Sequence, residues 1–180
     1  FPWGWGELWG IANRTNYDLG QHEKASGKDL TYLDPITNEK YLPYVIEPAV
    51  GVERLFFMFF TDAYDEEELE NGDTRVVMRF SPVLAPVKVA VLPLRAKLHG
   101  EKAEEVRHLF AKHFAVQSDG SGSIGKRYRR QDEIGTPFCI TIDDESLENN
   151  TVTLRYRDSM AQERMSVEEA LQKVQKEIEF

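Results

Sequence analysis

The sequence predicts an α/β protein of two units, and three observations lead to this fold class. Strand-like and helix-like segments alternate through the second half of the 180-residue chain, which is typical of a layered α/β domain. Charge is uneven, because residues 1–75 carry 15 acidic and 6 basic side chains whereas residues 76–180 carry 16 of each. An acidic stretch containing a glycine, residues 65–73, lies between the two parts. We therefore expect one unit at residues 1–80 and another at residues 81–180.

In the first unit, the apolar residues predict two strands and one helix. Residues 1–12 alternate large apolar residues with glycine, which predicts a strand that another backbone approaches closely. After an irregular polar stretch, residues 44–46 predict a short buried strand, and apolar residues at helical spacing predict a helix from about Gly51 to Ala63. The run 65–73 is interpreted as a solvated connection, the usual role of a charge run.

In the second unit, strand and helix patterns follow one another and predict a sheet covered by helices. Ser166 is a favourable N-cap with Glu169 three residues later, which predicts a capping box at the start of the last helix. The predicted elements are a strand at 87–93, an amphipathic helix at 101–114, a Gly/Ser loop at 119–123, a helix at 124–134, strands at 138–142 and 152–157, and a helix at 166–178.

Composition excludes several classes of protein. A formal net charge of −9 argues against a DNA coat protein and a polybasic membrane binder, so we expect neither DNA nor a membrane as partner. Cys139 is the single cysteine, which excludes a disulfide framework and predicts a reducing compartment, the cytoplasm. The longest apolar run, residues 55–60, is too short to span a bilayer. Because the chain opens without methionine on an apolar segment, we interpret it as a piece of something longer.

A near match to a phosphate-binding loop lies at residues 120–126. This segment follows a strand-like stretch, precedes a predicted helix and has the motif's spacing up to Lys126. The next residue is Arg127, where Ser or Thr should hold the metal. A flexible loop that caps a helix is therefore the better interpretation.

A basic stretch with one aromatic residue follows at residues 126–130. Four cations around a tyrosine combine phosphate binding with base stacking, as single-stranded RNA requires. The alternative is a solvated helix face, and residue type alone leaves both open. Residues 83–135 carry 10 basic and 6 acidic side chains, so the acidic total does not exclude one folded RNA as partner.

Two further candidates flank the start of the predicted 51–63 helix. Arg54 stands in the first turn, which is the wrong helix end for a cation on dipole grounds, so we expect an anionic ligand such as a nucleotide phosphate there. Glu47 lies beside a proline and a predicted buried strand, where a carboxylate needs a cation. The amine of a small substrate would suit it, and the alternative is an arginine in the core.

Essentially the whole chain resembles class II aminoacyl-tRNA synthetases. Residues 4–12, 14–19 and 47–55 closely resemble glycyl-tRNA synthetase of the dimeric, single-polypeptide type, and Gly-Val-Glu-Arg-Leu at 51–55 is similar to motif 3. Residues from Ser81 onward resemble the anticodon-binding domain shared by the glycyl, prolyl, threonyl and histidyl enzymes. The resemblance implies the antiparallel-sheet end of a catalytic domain at 1–80, followed by a layered α/β anticodon-binding domain with a mixed sheet at 81–180.

The same resemblance implies three sets of site residues. ATP would be contacted by Glu7, Leu8, Gly51, Val52, Glu53 and Arg54, with Glu7 and Arg54 as the catalytic residues and Mg²⁺ held at Glu7 through ATP. Glycine would be bound by Glu47, Pro48, Ala49, Val50 and Gly51, with Glu47 taking the ammonium group. The tRNA anticodon loop would be held by Lys126, Arg127, Tyr128, Arg129 and Arg130.

The implied activity is that of a homodimeric glycine–tRNA ligase, which forms glycyl-adenylate from ATP and transfers glycine to the 3′ end of tRNA(Gly). Two departures stand out. Ala49 replaces the serine common in the family, which removes a hydrogen bond worth about 0.5–1.5 kcal/mol. Motifs 1 and 2 are absent, so we expect no aminoacylation by the isolated chain. The alternative function is a non-catalytic tRNA- or RNA-binding module of synthetase-like fold.

Overall fold

Two compact units make up the protein in a computed structural model, which describes residues 1–179. Contacts divide the chain into Phe1–Met58 and Phe59–Phe180. This division lies upstream of residue 80, where the sequence predicts a boundary between functional domains. The assignment of residues 1–80 and 81–180 to two functional domains stays a prediction.

The first unit consists mainly of short elements whose side chains are mostly exposed. The predicted helix at 51–63 is confirmed, but the predicted strand at 44–46 is wrong, because the strand begins at Ile46 and its residues are exposed. Its partner strand is antiparallel and the two form a two-stranded sheet. The elements are β1 (Trp9–Asn13), α1 (Tyr17–Ser26), β2 (Tyr32–Leu33), β3 (Lys40–Tyr41), β4 (Ile46–Val50) and α2 (Val52–Ala63), which continues into the second unit.

The second unit is built on a mixed five-stranded sheet, as predicted. Its elements are β5 (Tyr64–Glu68), β6 (Thr74–Met78), β7 (Val89–Pro93), α3 (Ala96–Ala111), β8 (Val116–Ser118), α4 (Ile124–Ile134), β9 (Phe138–Ile142), α5 (Asp144–Asn149), β10 (Thr151–Tyr156), β11 (Gln162–Ser166) and α6 (Val167–Ile178). The strand order is β11-β10-β9-β7-β8. β7 is parallel to β8 and β9, whereas β10 is antiparallel to β9 and β11.

Helices cover this sheet on two faces, because side chains of a strand alternate between them. Val89 and Val91 of β7 belong to the larger core, which α3 and α6 complete. Ala90 and Leu92 point the other way and pack with Cys139 against α4. The sequence therefore folds as the layered α/β unit that its alternating pattern predicts.

Residues 65–73 are not a solvated connection, so that prediction is wrong. β5 and β6 form an antiparallel hairpin. The carboxylates of Asp65 and Glu67 are two residues apart on β5 and therefore share a face. They pair with Arg79 at 2.7 Å and with Arg75 at 2.7 Å. A charge run considered along the chain does not reveal the cations that a paired strand supplies.

A buried ionic cluster, consisting of Arg75, Asp132 and Arg155, joins the hairpin to the sheet. The carboxylate of Asp132 accepts a hydrogen bond from Nε of Arg75 at 2.9 Å and two from Arg155 at 2.8 and 3.0 Å. All three side chains are buried. Arg75 also donates to the carbonyl of Arg157 and to Glu67. Elements β6, α4 and β10 are therefore held around one carboxylate.

Gly135, which follows α4, fits a place where a larger residue would clash. Its φ is +83°, and a Cβ there would lie 2.6 Å from the Phe80 ring and 2.9 Å from the carbonyl of Met78. Nη1 of Arg157 donates to the Gly135 carbonyl at 2.9 Å. The turn between α4 and β9 therefore packs tightly against the end of the hairpin.

Several boundaries differ from the sequence prediction. α3 begins at Ala96 rather than residue 101, and the sequence prediction lacks α1, β2, β3, β5, β6, α5 and β11. The predicted irregular stretch before residue 44 is therefore wrong where α1 forms. The missed strands and α5 are short, and α1 has no buried residue, so all of them have weak apolar periodicity. The capping box of α6 is confirmed, since the Glu169 N–H donates to the Ser166 hydroxyl and the Ser166 N–H donates to the Glu169 carboxylate.

We predict that Asp132→Asn lowers the free energy of unfolding by about 3–5 kcal/mol, because it leaves two buried guanidinium groups without their carboxylate. Urea denaturation of the 180-residue chain measures this. Glu163→Gln, which breaks an exposed pair with Lys173, is the matched control and should cost much less. Equal losses in the two variants would show that the buried cluster is not essential to the fold.

Candidate functional site

One face of the β1–β4 pair carries small side chains together with carboxylates. Residues opposite each other in an antiparallel pair share a face, and Gly10 pairs with Ala49 while Ala12 pairs with Glu47. A Cβ built on Gly10 would lie 3.2 Å from Oε1 of Glu7, so the Glu7 carboxylate lies over the same face. We call Gly10, Ala12, Glu47 and Ala49 the small-residue face. Gly10 and Ala12 are about 7 Å apart, so the face offers a short space between two carboxylates.

Arg54 lies beside the start of β1. Its Nη1 donates to the main-chain carbonyl of Glu7, so the guanidinium reaches from the first turn of α2 to that segment. Glu7 and Arg54, the first and last of the residues predicted to contact ATP, are therefore neighbours in space. Leu8 is half-buried next to them, whereas Val52 and Glu53 are exposed on α2. Sequence separation alone, 47 residues, does not reveal this proximity.

Glu47 pairs with Arg14, a residue to which sequence reasoning gave no role. The Oε2 of Glu47 lies 3.2 Å from Nη1 of Arg14, and their side chains are 46% and 43% exposed. Arg14 also binds Asp18, and this contact holds the pKa of Asp18 below its usual value. The predicted alternative of an arginine partner is therefore found at the surface rather than in a core. One carboxylate oxygen of Glu47 is thus already paired with Arg14, and a substrate amine would bind Glu47 beside that guanidinium.

The opposite face of the same strand pair is large and apolar. Pro48 pairs with Ile11 and Val50 pairs with Trp9, so their side chains point away from Glu47 and Ala49. Trp9 and Ile11 are exposed. Of the five residues predicted to bind glycine, Glu47 and Ala49 share the small-residue face, and Gly51 joins β4 to α2. The side chains of Pro48 and Val50 do not line that face.

Arg127, in the basic stretch at 126–130, is a buried residue of the second unit. It is 4% exposed, and its guanidinium donates to the main-chain carbonyls of Gly120, Ser121, Gly122 and Pro93. The Arg127 guanidinium, which the sequence predicts to bind an RNA phosphate, is thus already hydrogen-bonded to four carbonyls. Burial of this arginine is not evident from the sequence, because its four acceptors are main-chain atoms.

The other members of the stretch differ in availability. Tyr128 packs on the sheet, its hydroxyl bonds Thr141, and Arg155 lies 4.7 Å from the ring centroid. Burial raises the pKa of its hydroxyl. Arg130 pairs with Asp119 and donates to the carbonyl of Ser121.

Lys126 and Arg129 are the exposed or half-buried cations of the stretch that form no ion pair within residues 1–179, whereas Arg130 pairs with Asp119. Lys126 is exposed, whereas Arg129 is half-buried and has one long hydrogen bond of 3.4 Å to the carbonyl of Thr74. The anticodon-binding role of the stretch stays a prediction, in which Lys126 and Arg129 would make the phosphate contacts.

Other candidate chemistry is limited in the part of the chain that the structure describes. Within residues 1–179, no group of three or more His, Cys, Asp or Glu side chains is arranged to hold a metal ion. In the same residues, no helix has the length and apolar character needed to cross a membrane. Cys139 is buried, and burial raises the pKa of its thiol to about 12, so it is a protonated thiol at neutral pH.

Comparison with known proteins identifies the second unit. The family model described as "Anticodon binding domain" matches residues 88–177. The chain belongs to this family of anticodon-binding domains. The RNA binding domain of threonyl-tRNA synthetase from Cryptosporidium parvum Iowa II has the same fold, with a TM-score of 0.64 at 22% identity over 82% of this chain and 34% of that chain.

Similarity to known sequences extends beyond the anticodon-binding domain. Glycine–tRNA ligases from Clostridium tetani, Clostridium kluyveri and Lysinibacillus sphaericus are 60%, 59% and 58% identical to this chain over its whole length. The chain spans 39% of the length of each of these relatives. The resemblance to glycyl-tRNA synthetases that the motifs indicate is confirmed.

Proposed function

We propose that the chain is part of a glycine–tRNA ligase, a homodimer that activates glycine with ATP and transfers it to tRNA(Gly). The observation that carries the proposal is the identity of 57–60% to glycine–tRNA ligases along the chain. The small-residue face and the membership of the anticodon-binding family support it independently. The first concerns the amino acid, and the second concerns the RNA.

In this proposal the small-residue face binds glycine. The ammonium group donates charge-assisted hydrogen bonds to Glu47, and Arg14 orients that carboxylate from its other side. Ala12 and Ala49 line the face and offer no hydrogen-bonding group to a polar amino-acid side chain. Amino acids larger than glycine are excluded by size. Ala49 offers no hydroxyl, so binding rests on Glu47 more heavily than it would with serine at that position.

The ATP site in the proposal uses Glu7 and Arg54. Positioning and charge neutralisation suffice for attack of the glycine carboxylate on the α-phosphate, without a protein nucleophile. Arg54 supplies a cation to the phosphates from a position fixed by its bond to the Glu7 carbonyl. Mg²⁺ bound with ATP would neutralise phosphate charge, and a lone carboxylate such as Glu7 fits an ion that is held mainly by phosphate oxygens.

The RNA site in the proposal lies at the start of α4. Lys126 and Arg129 contact phosphates of the anticodon loop, while Arg127, Tyr128 and Arg130 support them from within the unit. Phosphate contacts of this kind make binding salt-dependent. The alternative, a non-catalytic RNA-binding module, requires only this second site.

We predict that the isolated 180-residue chain does not catalyse glycine-dependent ATP–pyrophosphate exchange, because it lacks the arginine of motif 2 that would bind the α-phosphate. The exchange assay should reach background with the chain alone and exceed background with a full-length ligase that contains it. Exchange by the chain alone would contradict this prediction. No exchange by the full-length protein would favour the non-catalytic module.

In a full-length ligase carrying this chain, Glu47→Gln should raise the KM for glycine by roughly 10-fold or more, since it removes the charge that pairs with the ammonium group. The KM for ATP should stay near the wild-type value. Glu39→Gln, at a site away from the β1–β4 pair, is the matched control. An unaltered KM for glycine would remove Glu47 from the pocket.

Charge reversal of Lys126 and Arg129 to Glu should weaken tRNA binding by the 180-residue chain and make it less sensitive to salt. The slope of log K against log salt is negative, and each lost phosphate contact lowers its magnitude by about 0.7–0.9. The matched control reverses Lys112 and Lys176, which lie at the C-terminal ends of α3 and α6, away from the start of α4. If both double variants bind alike, the proposed RNA site is wrong.

A further inference from the structure

Arg127 is a buried cation that the proposed RNA site leaves without a direct role. Burial of a charge is costly unless hydrogen bonds compensate it, and an apolar side chain would fill the same space more cheaply. Here the compensation comes from four main-chain carbonyls. Three of these belong to one exposed segment, Gly120–Gly122. The charge is therefore used to shape a surface loop.

The loop, residues 119–123, is held from a second direction by Arg130. This residue bonds the carboxylate of Asp119 and the carbonyl of Ser121. Asp119 in turn accepts the Ser121 N–H at 2.8 Å. Two arginines of α4 thus fix the loop on its inner side, and Gly122 takes a φ of +72° that other residues rarely adopt.

This geometry is the reverse of a phosphate-binding loop. A phosphate loop turns its N–H groups inward around an anion, whereas the carbonyls of Gly120, Ser121 and Gly122 turn inward around a guanidinium. In a trans peptide the N–H points opposite to the C=O, so the N–H groups of Gly122 and Ser123 point outward. The residue that breaks the sequence motif, Arg127, is the one that produces this arrangement.

We propose that Arg127 is a positioning residue for RNA binding. It holds the loop 119–123 so that outward N–H groups donate to acceptor oxygens of an unpaired nucleotide, while Lys126 and Arg129 contact phosphates. This inference rests on the proposed function. The acceptor belongs either to a base or to the sugar-phosphate backbone, and two RNA probes distinguish these sources.

The test measures binding of the 180-residue chain to two RNAs at several salt concentrations. One is the anticodon stem-loop of tRNA(Gly), and the other is the same stem-loop with its three anticodon bases exchanged. Arg127→Lys keeps the charge but puts its donors on one nitrogen, which cannot reach all four carbonyls that the separate guanidinium nitrogens bond. Gly122→Ala disturbs the loop without changing charge. Both variants should bind the first RNA at least about 5-fold more weakly with an unchanged salt slope. A loss confined to the tRNA(Gly) stem-loop assigns the acceptor to a base, and an equal loss on both RNAs assigns it to the backbone.

Two results would overturn the inference. Affinities within 2-fold of wild type in both variants would show that the loop conformation does not matter. If Arg127→Met lowers the magnitude of the slope of log K against log salt by about 0.7, as is expected for the comparator Arg129→Met, then Arg127 is a direct phosphate ligand. Urea midpoints identify any variant that fails to fold, and Gly122→Ala keeps the test decisive if Arg127→Lys does so. A wild-type chain that binds neither stem-loop measurably at the lowest salt concentration would instead reject the proposed RNA site and with it this inference.

Discussion

The arrangement of the second unit depends on the carboxylate of Asp132. It lies between the guanidinium groups of Arg75 and Arg155, and through them it fixes a hairpin, a helix and a sheet strand relative to one another. A pair of opposite charges in a protein interior repays its desolvation only when the hydrogen-bond geometry is good and the remaining donors are satisfied. Both conditions hold here, since Arg75 also bonds Glu67 and the carbonyl of Arg157. The hairpin is therefore an integral part of the second unit, although the matched family segment begins only at residue 88.

The same principle governs the start of α4, where Arg127 and Arg130 hold a loop by hydrogen bonds to carbonyls and to Asp119. A basic stretch that resembles an RNA-binding motif thus divides into inward and outward members. Inward arginines determine the shape of the surface, and the exposed Lys126 and the half-buried Arg129 are the proposed phosphate contacts. In the first unit the small-residue face is arranged differently. There the proposed chemistry depends on exposed groups, Glu7, Glu47 and Arg54, which the β1–β4 pairing and the start of α2 bring near each other.

Sequence reasoning identified most of the regular elements of the second unit because their periodicity is strong. The buried strands 89–93 and 138–142 and the capped helix at 167–178 are examples. It failed at residues 65–73, where consecutive carboxylates suggest solvent, because their partners come later in the chain. Arg75 lies on the other strand of the hairpin, and Arg79 directly follows that strand. It also missed Arg14, since the contact with Glu47 joins residues 33 positions apart. In both cases the decisive group is distant in sequence, and local pattern carries no information about it.

The sequence by itself determined the family, the α/β class of the second unit and the residue types of both proposed sites. These properties depend on short motifs and on local periodicity, which are written along the chain. The tertiary structure alone decided which charged side chains are buried and which are available. Arg127 and Arg129 are two positions apart in one helix, yet one is enclosed by carbonyls and the other is half-buried with a single long hydrogen bond. The physical reason is that the free energy of a charge depends on its surroundings, and those surroundings come from segments that only folding brings together.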